Sequence, residues 1–161
     1  MSTHRAHVIT VSDGVAAGKR EDVSGPALVT LLQNADFEVS GPEVVPDTHD
    51  RISDAIVGAV VNGADFVVTT GGTGLGPRDV TPQATSMLID YEVPGLGELM
   101  RRAGQTSTPM ASLSRGLAGV RGHALILNVP GSMRGATESL EAVLPVLGHA
   151  VQLLHGHTKH E

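Results

Sequence analysis

The chain contains no cysteine, which excludes disulfides and thiolate zinc sites. Aromatic residues make up only 2% of it, so a core has to be assembled from Val, Leu, Ile and Ala. No apolar run approaches the roughly 18 residues that a membrane helix needs. The polar start, Met1-Ser-Thr-His-Arg-Ala-His7, lacks the apolar centre of a signal peptide. A cytoplasmic location with no membrane partner is therefore expected. Basic residues are scarce: 11 Lys and Arg stand against 17 Asp and Glu, for a formal net charge of −6. Such a balance gives no basic stripe to displace counterions from a phosphate backbone, which argues against nucleic acid as a partner. A small phosphorylated ligand stays open, because backbone N–H groups and a bound Mg2+ can carry that attraction.

What is present is an ordinary hydrophobic fraction, 40%, and 20 glycines in 161 residues. Short β-branched runs alternate with longer helical patterns. Strands are expected at residues 7–11, 65–70 and 125–129. Another at 38–45 is interrupted by Gly41-Pro42, which leaves 43–45 as its useful part. Helices are expected at 24–34, 50–62, 82–90 with Thr81 as N-cap, and 94–103. Residues 135–154 carry helical spacing with Pro145 inside, which predicts a kink or two helices; 155–161 are expected to form a loose tail. Strands separated by helices of this length indicate βαβ units and a mostly parallel sheet. With no repeat and no linker, residues 1–161 are expected to form a single domain.

In open parallel α/β sheets, ligands bind at the carboxyl ends of the strands. Each expected strand here ends in a polar or glycine-rich cluster. They are Ser12-Asp13-Gly14, then Pro46-Asp47, then Thr69-Thr70-Gly71-Gly72-Thr73-Gly74 extended by Pro77-Arg78-Asp79, and finally Asn128-Val129-Pro130-Gly131-Ser132. Any one of them is explained by turn chemistry alone; four converging on one edge point to a site. The glycine loop is neither a P-loop, since no Gly-Lys-Ser/Thr follows, nor a dinucleotide fingerprint, since Pro77 fills the third glycine position. Its N–H and hydroxyl donors nevertheless suit an anion such as a nucleotide or phosphate.

The stretch Thr69-Thr-Gly-Gly-Thr-Gly-Leu-Gly-Pro-Arg-Asp-Val-Thr-Pro-Gln-Ala-Thr85 resembles the signature of the molybdopterin-binding family, which includes the Mog and MoaB-type bacterial proteins and a domain of gephyrin. Thr10-Val-Ser-Asp13, Val45-Pro-Asp47, Pro94-Gly-Leu-Gly-Glu98, Leu113-Ser-Arg115 and Leu127-Asn-Val-Pro-Gly-Ser132 agree in order. The resemblance implies a three-layer α/β/α sandwich and a homotrimer, with a molybdenum-insertion protein as a further partner. Among its branches the Mog type is closest in Asp47 and in Arg78 to Pro82, although Gly14 stands where Mog-type proteins often carry Arg.

The Mog-type activity so implied is molybdopterin adenylyltransfer in molybdenum cofactor biosynthesis. The terminal phosphate of molybdopterin takes the AMP part of ATP and pyrophosphate leaves. A phosphate monoester with a second pKa of about 6 is already largely ionised at neutral pH, so no strong general base is needed. Charge neutralisation and in-line positioning are needed instead, which Mg2+ on one or two carboxylates provides. The family's paired aspartates fall on Asp47 and Asp79 as the catalytic, metal-binding residues. Substrate or nucleotide contacts fall on Ser12, Asp13, Thr70, Gly71, Gly72, Thr73, Gly74, Arg78, Ser114, Arg115, Pro130, Gly131 and Ser132, with backbone N–H groups of residues 71–74 wrapping phosphate. Simpler roles stay open: Asp13, Asp47 and Asp79 as turn or helix caps, and Arg115 as a surface or subunit ion pair. His155, His157 and His160 fit a solvated tail better than a metal site, and His49 lies beside Asp47. The alternative to an enzyme is a molybdopterin-binding carrier without catalysis.

Overall fold

The computed structural model describes residues 3–158. Strand β1 (Arg5–Val11) runs into a four-residue helix α1 (Asp13–Ala16), and α2 (Ser24–Asn34) returns the chain to β2 (Glu38–Val45). Helix α3 (His49–Val61) leads to β3 (Phe66–Thr70), followed by the glycine loop and α4 (Thr81–Ser86). Then come β4 (Tyr91–Glu92), α5 (Pro94–Gln105), a 3-10 turn (Pro109–Leu113), β5 (Ala118–Arg121), β6 (Ala124–Val129) and α6 (Met133–Leu154).

The six strands form one sheet in the order β2-β1-β3-β6-β5-β4. The first four are parallel, and β5 and β4 add an antiparallel margin. All of β3 and all of β6 are buried, as expected of inner strands covered on both faces. Alternate side chains divide between two cores. Phe66, Val68, Leu125 and Leu127 meet Leu28 and Leu32 of α2, Met100 of α5 and Leu140 and Leu147 of α6. Val67 and Ile126 meet Ile52 and Ile56 of α3 and Ala84 of α4. The result is the expected three-layer α/β architecture with a mostly parallel sheet. Each fully buried Leu or Ile contributes about 2 kcal/mol from area removed from water.

Four local expectations are corrected. Strand β2 is continuous through Gly41-Pro42, whose peptide bond is cis, and the register against β1 shifts between His7 and Ile9. As an edge strand, β2 has a free side on which a residue without an N–H is tolerated. Helix α4 stops at Ser86, because the chain is drawn into the sheet margin, where the Asp90 N–H donates to the Val120 carbonyl at 2.6 Å. Its cap position is held by Val80, and the Thr81 hydroxyl donates instead to the Gly71 carbonyl at 2.9 Å. Finally, α6 is one helix of 22 residues through Pro145, which lies on its exposed face. There the carbonyl that loses its partner can be hydrated, so the helix need not end. At the C-cap of α6, His155 is held by Asp65, Nε2 to Oδ1 2.7 Å, and stacks on His4 and His123. His160 lies outside the described residues.

From β1 the chain crosses to β2 on one side, and from β2 it crosses back over β1 to β3 on the other. Connections that diverge in this way leave a crevice beyond the carboxyl ends of β1 and β3. Ser12 and Asp13 leave β1 there, and Gly71 and Gly72 leave β3 beside them.

Candidate active site

The crevice holds a cavity of about 530 Å³ at the β1–β3 switch point. Of the residues expected at the site, Ser12, Asp47, Thr70, Gly71, Gly72, Asp79, Gly131 and Ser132 line it. A neighbouring cavity of about 320 Å³ lies between α5, the 3-10 turn and the start of α6. Thr73, Gly74, Ser114, Pro130 and Ser132 line that one, together with the apolar Met100, Met110 and Leu113. Residues 71–74 form the ridge between the two, and Ser132 borders both. Arg78, Asp13 and Arg115 line neither.

The glycine loop is shaped by contacts that no side chain could share. Gly71 has φ +110°, and a Cβ there would collide with the Val11 carbonyl oxygen. Gly72 has φ +68°; its Cβ would collide with the Thr81 hydroxyl and stand 3.2 Å from Asp47 Oδ1. Both therefore need glycine, for conformation and for space. The Gly71 N–H is spent on the Val129 carbonyl at 3.1 Å. The amides of Gly72, Thr73 and Gly74 donate to no described residue. Three amides of the loop, not four, are thus free to meet an anion.

Asp13 and Asp47, brought together from the ends of β1 and β2, hold each other. The Asp13 N–H donates to Asp47 Oδ2 at 2.8 Å, and the Asp47 N–H donates to Asp13 Oδ1 at 2.9 Å. Arg78 grips Asp13 with two prongs, Nε to Oδ2 3.0 Å and Nη2 to Oδ1 3.1 Å. That guanidinium, with the Asp47 contact second, holds the Asp13 carboxyl below the usual carboxylate range. Asp47 is shifted the other way. Burial raises it first, and the nearby negative charges of Asp13 and Asp79 add to the rise against the hydrogen bond from Asp13. Asp79 Oδ2 accepts the Gly76 N–H at 2.9 Å, and a Cβ on either Gly74 or Gly76 would come to 2.9 Å from that oxygen.

Five of the expected substrate contacts also hold parts of the chain itself. Arg115 donates from Nε to the Gly74 carbonyl at 2.9 Å, from Nη2 to the Asp79 carbonyl at 2.8 Å and from Nη1 to Gln83 Oε1 at 3.1 Å. It braces the loop that carries Asp79 and has neither a carboxylate partner nor a place in the cavity. Ser132 is the N-cap of α6, its Oγ accepting the Gly135 N–H at 3.1 Å, and Ser12 likewise caps α1 through the Val15 N–H. The Thr70 hydroxyl donates to the Pro130 carbonyl at 2.7 Å, tying the ends of β3 and β6. Ser114 accepts the Gly116 N–H at 3.3 Å. His49 forms no part of either cavity lining.

Sequence reasoning overlooked the role of Asn128, which it had placed only within the last strand-end cluster. It is fully buried at the end of β6, and its amide donates to the hydroxyls of Thr69 and Thr85, both at 3.0 Å. A lone Asn within an apolar strand was the available signal. Also overlooked was Arg101, which donates to the carbonyls of Ser114 and Gly116 at 3.3 and 2.8 Å and so fixes a wall of the smaller cavity.

Asp47 and Asp79 both line the larger cavity, and the negative charge of Asp79 adds to the cost of charging Asp47. A half-buried carboxylate pair with mutual repulsion suits a divalent cation, which removes that repulsion. Among the described residues no group of three or more His, Cys, Asp or Glu could enclose a metal ion. The donor set therefore fits Mg2+ shared with substrate oxygens, the usual manner of its binding at phosphate sites.

The model of the family described as "Probable molybdopterin binding domain" matches residues 7–149. A molybdenum cofactor biosynthesis bifunctional protein of Synechococcus elongatus is 40% identical over 94% of this chain and 47% of its own length. The chain thus spans about half the length of such bifunctional relatives. The molybdopterin adenylyltransferase of Helicobacter pylori J99 is 39% identical over 97% of this chain and 90% of its own. Among solved structures, the molybdopterin biosynthesis enzyme MoaB of Thermus thermophilus superposes with a TM-score of 0.90 at 53% identity, covering 96% of this chain and 98% of that one.

Proposed function

Since the chain belongs to the molybdopterin-binding family, we propose that it is a molybdopterin adenylyltransferase of molybdenum cofactor biosynthesis, using ATP and releasing pyrophosphate. The observation that carries this reading is the pairing of Asp47 and Asp79 across the free amides of the glycine loop, at the switch point of the sheet. Two anionic substrates have to be brought together at such a place, and a carboxylate pair of this kind supplies the seat for the cation that makes it feasible.

In this reading Mg2+, when bound, neutralises the phosphates and polarises the α-phosphoryl group. Asp47 and Asp79 hold it, and Asp13, clamped by Arg78, fixes Asp47 through the backbone. The amides of Gly72, Thr73 and Gly74 receive phosphate oxygens. A terminal phosphate oxygen of molybdopterin attacks the α-phosphorus of ATP. The bond from that phosphorus to the bridging oxygen breaks, and its electron pair leaves with pyrophosphate. No side chain has to remove a proton, in keeping with the lack of a histidine in the lining of either cavity. The smaller cavity, with Met100, Met110 and Leu113 in its wall, suits a planar heterocycle.

The setting implied by the family resemblance is a cytoplasmic homotrimer that passes its product to a molybdenum-insertion protein. Among the described residues no helix is long and apolar enough to cross a membrane.

The test is pyrophosphate release from Mg-ATP on addition of molybdopterin, with Asp79→Asn as control. Asn keeps an oxygen for the Gly76 N–H and removes only the charge. Release that depends on the pterin and falls about a hundredfold or more in the variant supports the transferase. Tight pterin binding without release would make the protein a carrier, and absence of pterin binding would remove the ligand from the proposal.

A further inference from the structure

The larger cavity is lined by four carboxylates, Glu21, Asp22, Asp47 and Asp79, and by a single cationic side chain, Arg20. The other arginines near the site are committed: Arg78 to Asp13, Arg115 and Arg101 to carbonyls, and Arg134 to Glu138 at 2.9 Å. Arg20 makes no hydrogen bond or ion pair with any described residue and is exposed. Asp22, two residues on, makes no ion pair with it. Its carboxylate already accepts the Thr10 hydroxyl at 2.8 Å and the Gly25 N–H at 3.0 Å. The residue after Asp13 is a glycine, and a Cβ there would stand 3.5 Å from Arg20 Cβ and 3.9 Å from its Nε. The arginine stem therefore lies alongside Gly14, at ordinary van der Waals distance from where a side chain there would begin.

We propose that Arg20 is a substrate-binding residue that grips the outer phosphates of the nucleoside triphosphate, the part that leaves as pyrophosphate. The inference rests on the transferase reading given above. A triphosphate entering a cavity of four carboxylates carries more negative charge than one divalent cation on Asp47 and Asp79 offsets. The surplus lies on the phosphates farthest from the reacting phosphorus. An unpaired guanidinium at the mouth meets it there, with a planar donor fork suited to phosphate oxygens. Holding the leaving group there keeps it in line behind the α-phosphorus. A pterin phosphate carries less charge and has no need of the mouth.

The experiment compares wild type, Arg20→Ala and the double variant Gly14→Arg/Arg20→Ala by calorimetric titration with Mg-ATP, inorganic pyrophosphate and molybdopterin, alongside turnover. Arg20→Ala is expected to keep the wild-type melting temperature, since the side chain has no partner to lose. It is expected to weaken Mg-ATP and pyrophosphate binding about tenfold or more while leaving pterin binding unchanged. The double variant places a guanidinium in the same space from the other side of the turn and is expected to recover most of the loss. A purely structural role for Arg20 would not be rescued in this way. If Arg20→Ala binds Mg-ATP as wild type does, or loses pterin affinity instead, the assignment is overturned while the transferase reading stands. If wild type binds pyrophosphate through Arg20 but shows no transfer, Arg20 keeps its phosphate and the transferase reading fails. If wild type binds neither nucleotide nor pyrophosphate, the Arg20 assignment is overturned.

Discussion

Asp13 and Asp47 cap one another, each giving its backbone N–H to the other's carboxylate at 2.8 and 2.9 Å. Thirty-four residues separate them in the chain, yet the exchange makes the ends of β1 and β2 a single unit. The two carboxylates then face opposite fates. Asp13 is drawn to Arg78 and kept ionised, whereas Asp47 is half-buried and lines the cavity, where burial makes its charge costly. One aspartate orients; the other is available to bind.

Arg78 therefore acts on Asp47 through Asp13. Arg78→Met is expected to lower kcat about tenfold while KM for ATP changes less, as is usual when the support of a ligand is lost and the ligand stays. Steady-state kinetics separate the two quantities. A large rise in KM with unchanged kcat would show instead that Arg78 leaves Asp13 to hold the nucleotide itself.

The raised pKa of Asp47 has a consequence for stability. In the folded protein its protonated form is favoured relative to the unfolded chain, so that contribution is fully present below the ordinary carboxylate pKa and is lost as pH rises through the folded value. Asp47→Asn should remove the penalty. Without Mg2+ or nucleotide the variant is expected to be more stable than wild type at pH 7, by less than about 1 kcal/mol once solvent screening is allowed for. Thermal melts across pH should show the difference closing below about pH 4. A variant less stable than wild type at neutral pH would contradict this.

Gly71 has no room for a side chain. Its φ of +110° and the Val11 carbonyl against its α-carbon combine strain with collision, so Gly71→Ala is expected to cost roughly 3 kcal/mol or more. Chemical denaturation measures it. Gly58, with open space around the position of its missing Cβ, provides the control, and Gly58→Ala in mid-helix should stabilise slightly.

Arg115 yields a prediction that separates a brace from a ligand. Arg115→Lys retains one charge but cannot reach Gly74, Asp79 and Gln83 together. Amide exchange in residues 73–80 should accelerate, and kcat should fall with it. A phosphate-binding role would give raised KM with the loop's exchange unaltered.

Much of the frame could be read from the sequence because it rests on long, one-sided patterns. The helical stripe Ile52, Ala55, Ile56, Ala59 and the short, fully buried β-branched and apolar runs of β3 and β6 admit few other readings. The convergence of strand ends was legible for the same reason: parallel strands put their carboxyl ends on one edge. The margin β4–β5 was not, because strands of two and four residues that include Gly119 carry no alternation to detect. Their place is set by distant packing instead, with Ile89 lying over Gly119. The bracing role of Arg115 was hidden for a related reason. Arg115 meets backbone carbonyls, which every residue carries, so nothing in the residue pattern marks its partners. Asp13, with a turn cap open to it beside a substrate contact, bonds with Arg78 and Asp47.

The ridge of residues 71–74 between the two cavities also bears on which atoms can react. If the pterin and the nucleotide take one cavity each, their bodies are kept apart, and what extends past the Ser132 border, shared by both linings, is what meets the other substrate. For the transfer proposed here, regioselectivity then needs no recognition of the wrong oxygens. Hydroxyls on either ring system are screened from the phosphorus by the backbone itself, and the one nucleophile left is the phosphate at the end of its tether.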